Sequence, residues 1–110
     1  MEPYERIRQL RKQVLNMTLE EFSNKINISR SNLGNIETGR IGLTDRVLMD
    51  ICRTFQVKKE WIATGIEPIF EEGSDPLDTE ILKLYSSLTE ENKKYLYGYM
   101  RRLFEEQQIN

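Results

Sequence analysis

In the ten residues from Ser29 to Thr38 the chain carries Arg30, Ser31, Asn32 and Asn35, whose side chains match the hydrogen-bonding edges of nucleic-acid bases. An arginine fork fits the two acceptors of guanine, an asparagine amide fits the donor and acceptor of adenine, and a serine hydroxyl fits several partners. Spacing decides whether they act together. On a helical wheel at about 100° per residue, Leu33 and Ile36 mark one side. Ser31, Gly34, Asn35 and Thr38 face the other side, with Arg30 and Asn32 at its flanks. The expected base-reading set is therefore Arg30, Ser31, Asn32 and Asn35, on a helix laid in the major groove of double-stranded DNA. Gly34 in mid-helix costs about 1 kcal/mol relative to alanine. That cost has a purpose if the missing side chain lets the backbone approach the groove floor.

The groups expected to hold phosphate ring this helix. Thr18 and Ser29 cap two helix amino ends, where unpaired amides and the helix dipole favour anions. Thr38 ends the reading helix and Arg40 stands just beyond it. Arg11, with Arg8 and Lys12 beside it on the first helix, completes the expected phosphate set on the assumption that all three cations lie on the solvated face.

The elements that position these groups follow from the apolar rhythm. Pro3 suits a first helical position, and Ile7, Leu10 and Val14 continue a stripe to about residue 14. Thr18 precedes Leu19 and stands three residues before Glu21, a capping box that opens a second helix reaching about Ile26. Asn27 marks a sharp turn, because asparagine tolerates the left-handed conformation. Ser29 caps the reading helix and Gly39 terminates it. Thr44 then caps a fourth helix with Val47, Leu48, Ile51, Cys52 and Phe55 inward. A short fifth helix carries Trp61 and Ile62 into the core and ends at Gly65.

From Gly65 to Pro76 the breaks and acidic residues read as a linker. Beyond it, Leu77, Ile81, Leu84 and Leu88 form one amphipathic helix. Thr89 caps a last one containing Leu96, Tyr99, Met100 and Leu103. The expected organisation is residues 1–66 as a five-helix domain, 67–75 as a linker and 76–110 as a helical hairpin, an all-α fold throughout.

Composition narrows the chemistry. Of 110 residues, 38% are hydrophobic and 31% charged, which fits a packed domain. Histidine is absent and Cys52 is the single cysteine, so no metal site, cofactor, disulfide or histidine-based catalysis is expected. Carboxylate pairs such as Glu71/Glu72 and Glu105/Glu106 lack neighbours to tune them, so no enzyme is expected either. No apolar run long enough to span a membrane and no signal-peptide core occur, which places the expected protein in the cytoplasm without a membrane partner. The net charge of −2 hides a division, with +3 over residues 1–66 and −5 over residues 67–110. The basic share accompanies the reading helix.

The string from Thr18 to Gly39, with the IETGR and KEWIATG strings around and after its end, resembles the XRE group of transcriptional regulators, the lambda-type Cro and cI repressor helix-turn-helix family. The resemblance covers about residues 4 to 66. Ser23 stands at the small position of the second helix, Asn27 at the turn in place of the usual glycine, and Leu33 at the buried aliphatic position of the reading helix. Leu19 stands where that family commonly carries a glutamine. The resemblance implies a five-helix lambda-repressor-like domain and a homodimer that sets two reading helices in successive major grooves, about 34 Å apart on a near-palindromic operator. The implied activity is sequence-specific regulation, with repression by occupancy of the operator. The hairpin, rich in tyrosine and short of a core of its own, is the expected dimerisation element. The alternative is an antitoxin-like module, in which the acidic hairpin binds a protein partner while the first domain regulates its own synthesis.

Overall fold

Four of the helix starts are fixed by hydroxyl side chains acting locally. A computed structural model describes residues 1–109, in two compact units, Met1–Asp75 and a second beginning at Pro76. In order, the elements are α1 (Pro3–Gln9) running into a π-helical turn (Leu10–Val14), α2 (Leu19–Lys25), α3 (Arg30–Glu37), α4 (Asp45–Phe55), α5 (Lys59–Thr64), α6 (Pro76–Ser86) and α7 (Glu90–Ile109). Thr18 Oγ1 accepts from the Glu21 amide at 3.0 Å, while the Thr18 amide donates to the Glu21 carboxylate at 3.0 Å. Ser29 Oγ accepts from the Asn32 amide at 3.0 Å, and Thr44 and Thr89 cap α4 and α7 in the same way at 3.2 Å. Each bond satisfies a donor that the first turn of a helix leaves orphaned.

The breaks are equally local. Asn27 turns the chain between α2 and α3 at φ 58°, in the left-handed region where asparagine is tolerated. Gly39 ends α3 at φ 77°, and a Cβ there would stand 2.9 Å from Tyr4 Cζ. Glycine is needed at this position both for the backbone and for the ring that closes over it.

Between these breaks, α1 to α5 enclose one core. Ile7, Leu10, Phe22, Ile26, Leu33, Ile36, Leu48, Ile51, Val57, Trp61 and Ile62 are buried in it, as their spacing indicates. Phe22 stacks on Phe55 with ring centroids 4.6 Å apart. Ser23 is buried with its hydroxyl turned back onto the Glu20 carbonyl at 3.1 Å, a small residue that lets α2 and α3 approach. Cys52 is partly buried against the core, and burial raises its thiol pKa, so it stays protonated and inert.

Two expectations need correction. Arg11 is not on the solvated face, since it lies four residues after Ile7 and shares that side of the helix; it is 8% exposed and Glu37 is 5% exposed. Its Nε donates to Glu37 Oε2 at 2.7 Å, its Nη2 to Oε1 at 2.9 Å, and its Nη1 to the Met17 carbonyl at 3.0 Å. With all three nitrogens held inside the domain, Arg11 leaves the expected phosphate set. The π-helical turn in which it sits is wider than an α-turn and retards the helical phase. Val14 accordingly ends up 36% exposed instead of continuing the stripe.

The second correction concerns residues 67–75, which are not a free linker. Phe70 is 5% exposed in the core and Ile69 packs against it. Val57 and Phe70 form an isolated antiparallel bridge, the only strand-like pairing among the described residues. Lys58 N donates to the Ile69 carbonyl and Glu71 N to the Gln56 carbonyl, each at 2.8 Å. The first unit therefore closes at Asp75, nine residues beyond the expected boundary at residue 66.

The second unit has the expected helices but no interior, since no residue of α6 or α7 is buried. Its two helices meet where Lys93 Nζ stands 5.1 Å from the centroid of the Tyr85 ring. Among the described residues no helix is long and apolar enough to cross a membrane.

Two stability measurements test the corrected fold. Phe70→Ala should lower the urea-unfolding stability of the first unit by about 3 kcal/mol, as for other buried phenylalanines, whereas a true linker residue would change it by a few tenths. Arg11→Met should cost about 3–5 kcal/mol by stranding the Glu37 carboxylate, and adding Glu37→Leu should recover most of the loss. Additive losses in the double variant would show that the two side chains do not act as a pair.

Candidate nucleic-acid interface

The reading helix is built by a division of labour along eight residues. Leu33, Ile36 and Glu37 turn inward from α3 and are buried, so the helix is fixed by two apolar anchors and one ion pair. Ser31 and Asn32 are exposed on the opposite side, and Asn35 and Gly34 are half-buried. Among the described residues, no hydrogen bond or ion pair engages the side chains of Arg30, Ser31, Asn32, Asn35 or Arg40. Their donors and acceptors are free for an external partner. This face therefore brings together Ser31, Asn32 and Asn35 as the sequence indicates.

Arg30 stands at an edge of that face. It lines an open cleft of about 410 Å³ with Arg11, Thr18, Leu19 and Glu20, beside the amino end of α2. From there a long guanidinium side chain reaches either toward the reading face or toward an anion at the α2 terminus. A second open cleft, of about 630 Å³, joins Arg8 and Lys12 of the first helix to Thr38 at the end of α3. Those two cations keep the exposed placement that Arg11 lacks.

The capping groups arrive with part of their capacity already used. Thr18 is bound reciprocally to Glu21, and these hydrogen bonds, from the Thr18 backbone first and then its side chain, hold the Glu21 carboxyl below its ordinary pKa. The amino end of α2 thus carries a carboxylate of its own, and an incoming anion meets the remaining amides of the first turn. Thr38 Oγ1 donates to the carbonyls of Gly34 at 3.1 Å and Asn35 at 3.3 Å, which leaves its lone pairs outward and its proton turned in. Arg40 is exposed, and its amide donates to the Asn35 carbonyl at 2.9 Å, which ties the loop after α3 to the reading helix.

The residue that sequence reading missed is Glu37. It lies four residues after Leu33, as Arg11 lies four after Ile7, so each charge falls on the apolar side of its helix. Opposite charges at apolar positions of two neighbouring helices are the signal that would have paired them. Arg6 carries a related role, with Nη1 donating to the carbonyls of Ile62 at 2.9 Å and Ala63 at 3.2 Å. It satisfies the carboxyl end of α5 and fastens it to α1.

Gly34 has open space around it, since a Cβ built there meets no atom of the protein within 4 Å beyond its own helix and chain neighbours. Nothing inside the domain requires glycine at this point.

Residues 4–68 match a family model described as a helix-turn-helix domain. No curated protein and no solved structure matches the chain. The matched segment covers more than half of the sequence and contains the capped α2, the left-handed turn at Asn27 and the anchored α3, and on this ground the chain belongs to the helix-turn-helix domain family.

Proposed function

We propose that the protein is a sequence-specific DNA-binding transcriptional regulator of the XRE, Cro and cI type, acting as a repressor through a dimer on a near-palindromic operator. The observation that carries this reading is the outer face of α3, where Ser31, Asn32 and Asn35 stand with unengaged side chains opposite a fully anchored inner face. A helix so presented fits a major groove, and its side chains match base edges. Arg30 completes the base-reading set from the edge of the face. Thr18, Ser29, Thr38 and Arg40 supply the phosphate contacts, through the amides their caps present, through hydroxyls and through one guanidinium. Two copies of the first unit, each placing α3 in one groove, account for specificity that a single short helix cannot supply.

Selection of bound sequences from a random duplex library reports motif, symmetry and half-site spacing together. A palindrome with half-sites one helical turn apart is expected, and a single unsymmetrical site would overturn the dimeric reading. In the same assay Arg30→Ala should cost about 1–3 kcal/mol and relax preference at one base position. Arg40→Ala should weaken all sequences alike and reduce the slope of log affinity against log salt by about one. Uniform weakening from Arg30→Ala would move that residue to the phosphate set. Because no protein atom opposes a side chain at residue 34, Gly34→Ala should raise thermal stability by up to about 1 kcal/mol while lowering operator affinity. Unchanged affinity would show that the glycine does not set docking depth.

A further inference from the structure

The second unit cannot account for its own order. Its helices bury no residue, and a pair of helices without an interior does not offset the conformational entropy of holding them. On α7, Tyr99, Met100, Leu103 and Phe104 are 55%, 52%, 47% and 55% exposed. At about 100° per residue, Asn92, Leu96, Tyr99, Met100, Leu103 and Gln107 fall on one face about 100° wide. Lys93, at the margin of this face, is covered by Tyr85 of α6, so the face itself remains open.

This face reads almost the same in both directions. About a point midway between Tyr99 and Met100, Leu96 corresponds to Leu103 and Asn92 to Gln107, while Lys93 and Lys94 correspond to Glu106 and Glu105. A two-fold axis through that point lays one α7 antiparallel on another, with leucine level with leucine and amides closing both ends. The basic band of each helix then lies level with the acidic band of its mate. A parallel pair in register would set each band beside its own sign. Bands on helices 8–10 Å apart lie within about one Debye length at physiological salt, and the antiparallel arrangement also opposes the helix dipoles.

We propose that α7 pairs antiparallel with α7 of a second copy, about a two-fold axis between Tyr99 and Met100, and buries the Leu96, Tyr99, Met100 and Leu103 face. The inference rests on the dimeric reading above and specifies its surface, orientation and register. A self-complementary face selects a second copy of this chain, because a two-fold interface needs residue i to meet j while j meets i. The near-equal charge of the unit, 5 Lys/Arg against 6 Asp/Glu over residues 76–110, removes any barrier of net repulsion to that pairing.

The test uses the full chain with Cys52→Ser as background and single cysteines at exposed positions, treated with a short bifunctional maleimide and followed by sedimentation before treatment. Met100→Cys should yield covalent dimer. Asn92→Cys and Gln107→Cys should each yield none alone, because like positions lie 15 residues apart along the pair, about 22 Å at 1.5 Å per residue. A mixture of those two variants should cross-link. Efficient cross-linking of Asn92→Cys alone would show a parallel pair and overturn the proposal while the dimer stands. Dimers in sedimentation without cross-linking at any of these positions would place the interface elsewhere and overturn it also. A monomer at all concentrations would remove the dimeric reading together with this one.

Discussion

The bidentate pair between Arg11 and Glu37 is the contact that gives the reading helix a defined pose. Apolar burial holds α3 in the domain, but it is non-directional and fixes rotation about the helix axis only loosely. Two parallel N–H···O bonds of 2.7 and 2.9 Å add direction, as charge-assisted forks do. The third bond, from Arg11 to the Met17 carbonyl, extends the constraint to the residue that precedes the α2 cap. One guanidinium thus joins the end of the first helix, the start of α2 and the end of α3. The π-helical turn belongs to the same device, because it is the widened segment that contains Arg11. Removing two charges from water is costly, and the return is less a gain in stability than a single orientation for the face that carries Ser31, Asn32 and Asn35.

That orientation explains which features were legible in the sequence. The caps at Thr18, Ser29, Thr44 and Thr89 and the turn at Asn27 depend on residues within three positions of each other, so local rules reach them. The exposed side of α3 was legible for the same reason, although Asn35 is half-buried where the wheel alone gives it full exposure. What escaped was non-local. Arg11 and Glu37 are 26 residues apart, and a charge on a helix is assigned to solvent by default unless its partner is known. Phe70 was hidden by its surroundings, since proline, glycine and glutamate around it read as linker. Only its pairing with Val57, across α5, reveals it as part of the core.

The shifted boundary changes the electrostatic argument as well. With the expected division at residue 66, the first domain carries +3 and the remainder −5. The folded unit extends to Asp75 and includes Glu67, Glu71, Glu72 and Asp75, so that it holds 11 Lys/Arg against 12 Asp/Glu, a net charge of −1. A unit of that charge does not draw DNA from a distance by its overall field. Attraction has to come from the arrangement of exposed cations such as Arg30, Arg40, Arg8 and Lys12 near α3, acting within a Debye length of the phosphates. Discrimination between sequences then rests more heavily on the side chains of the reading face than it would in a strongly basic domain.

The same recount bears on the partner of the C-terminal helices. An acidic hairpin that masks a basic protein requires an excess of carboxylates on that hairpin, and the excess assigned to it belongs largely to the segment ending at Asp75, which packs with the first unit. What remains from Pro76 onward is nearly neutral, with its apolar face on α7 flanked by charges of both signs. Such a surface selects by shape and by the order of its charges along the helix instead of by net attraction. Its closest complement in chemistry is its own reversed sequence, which points to self-association over capture of a basic partner. The unit would then contribute geometry, by setting the separation of two reading helices, and the first unit would contribute recognition.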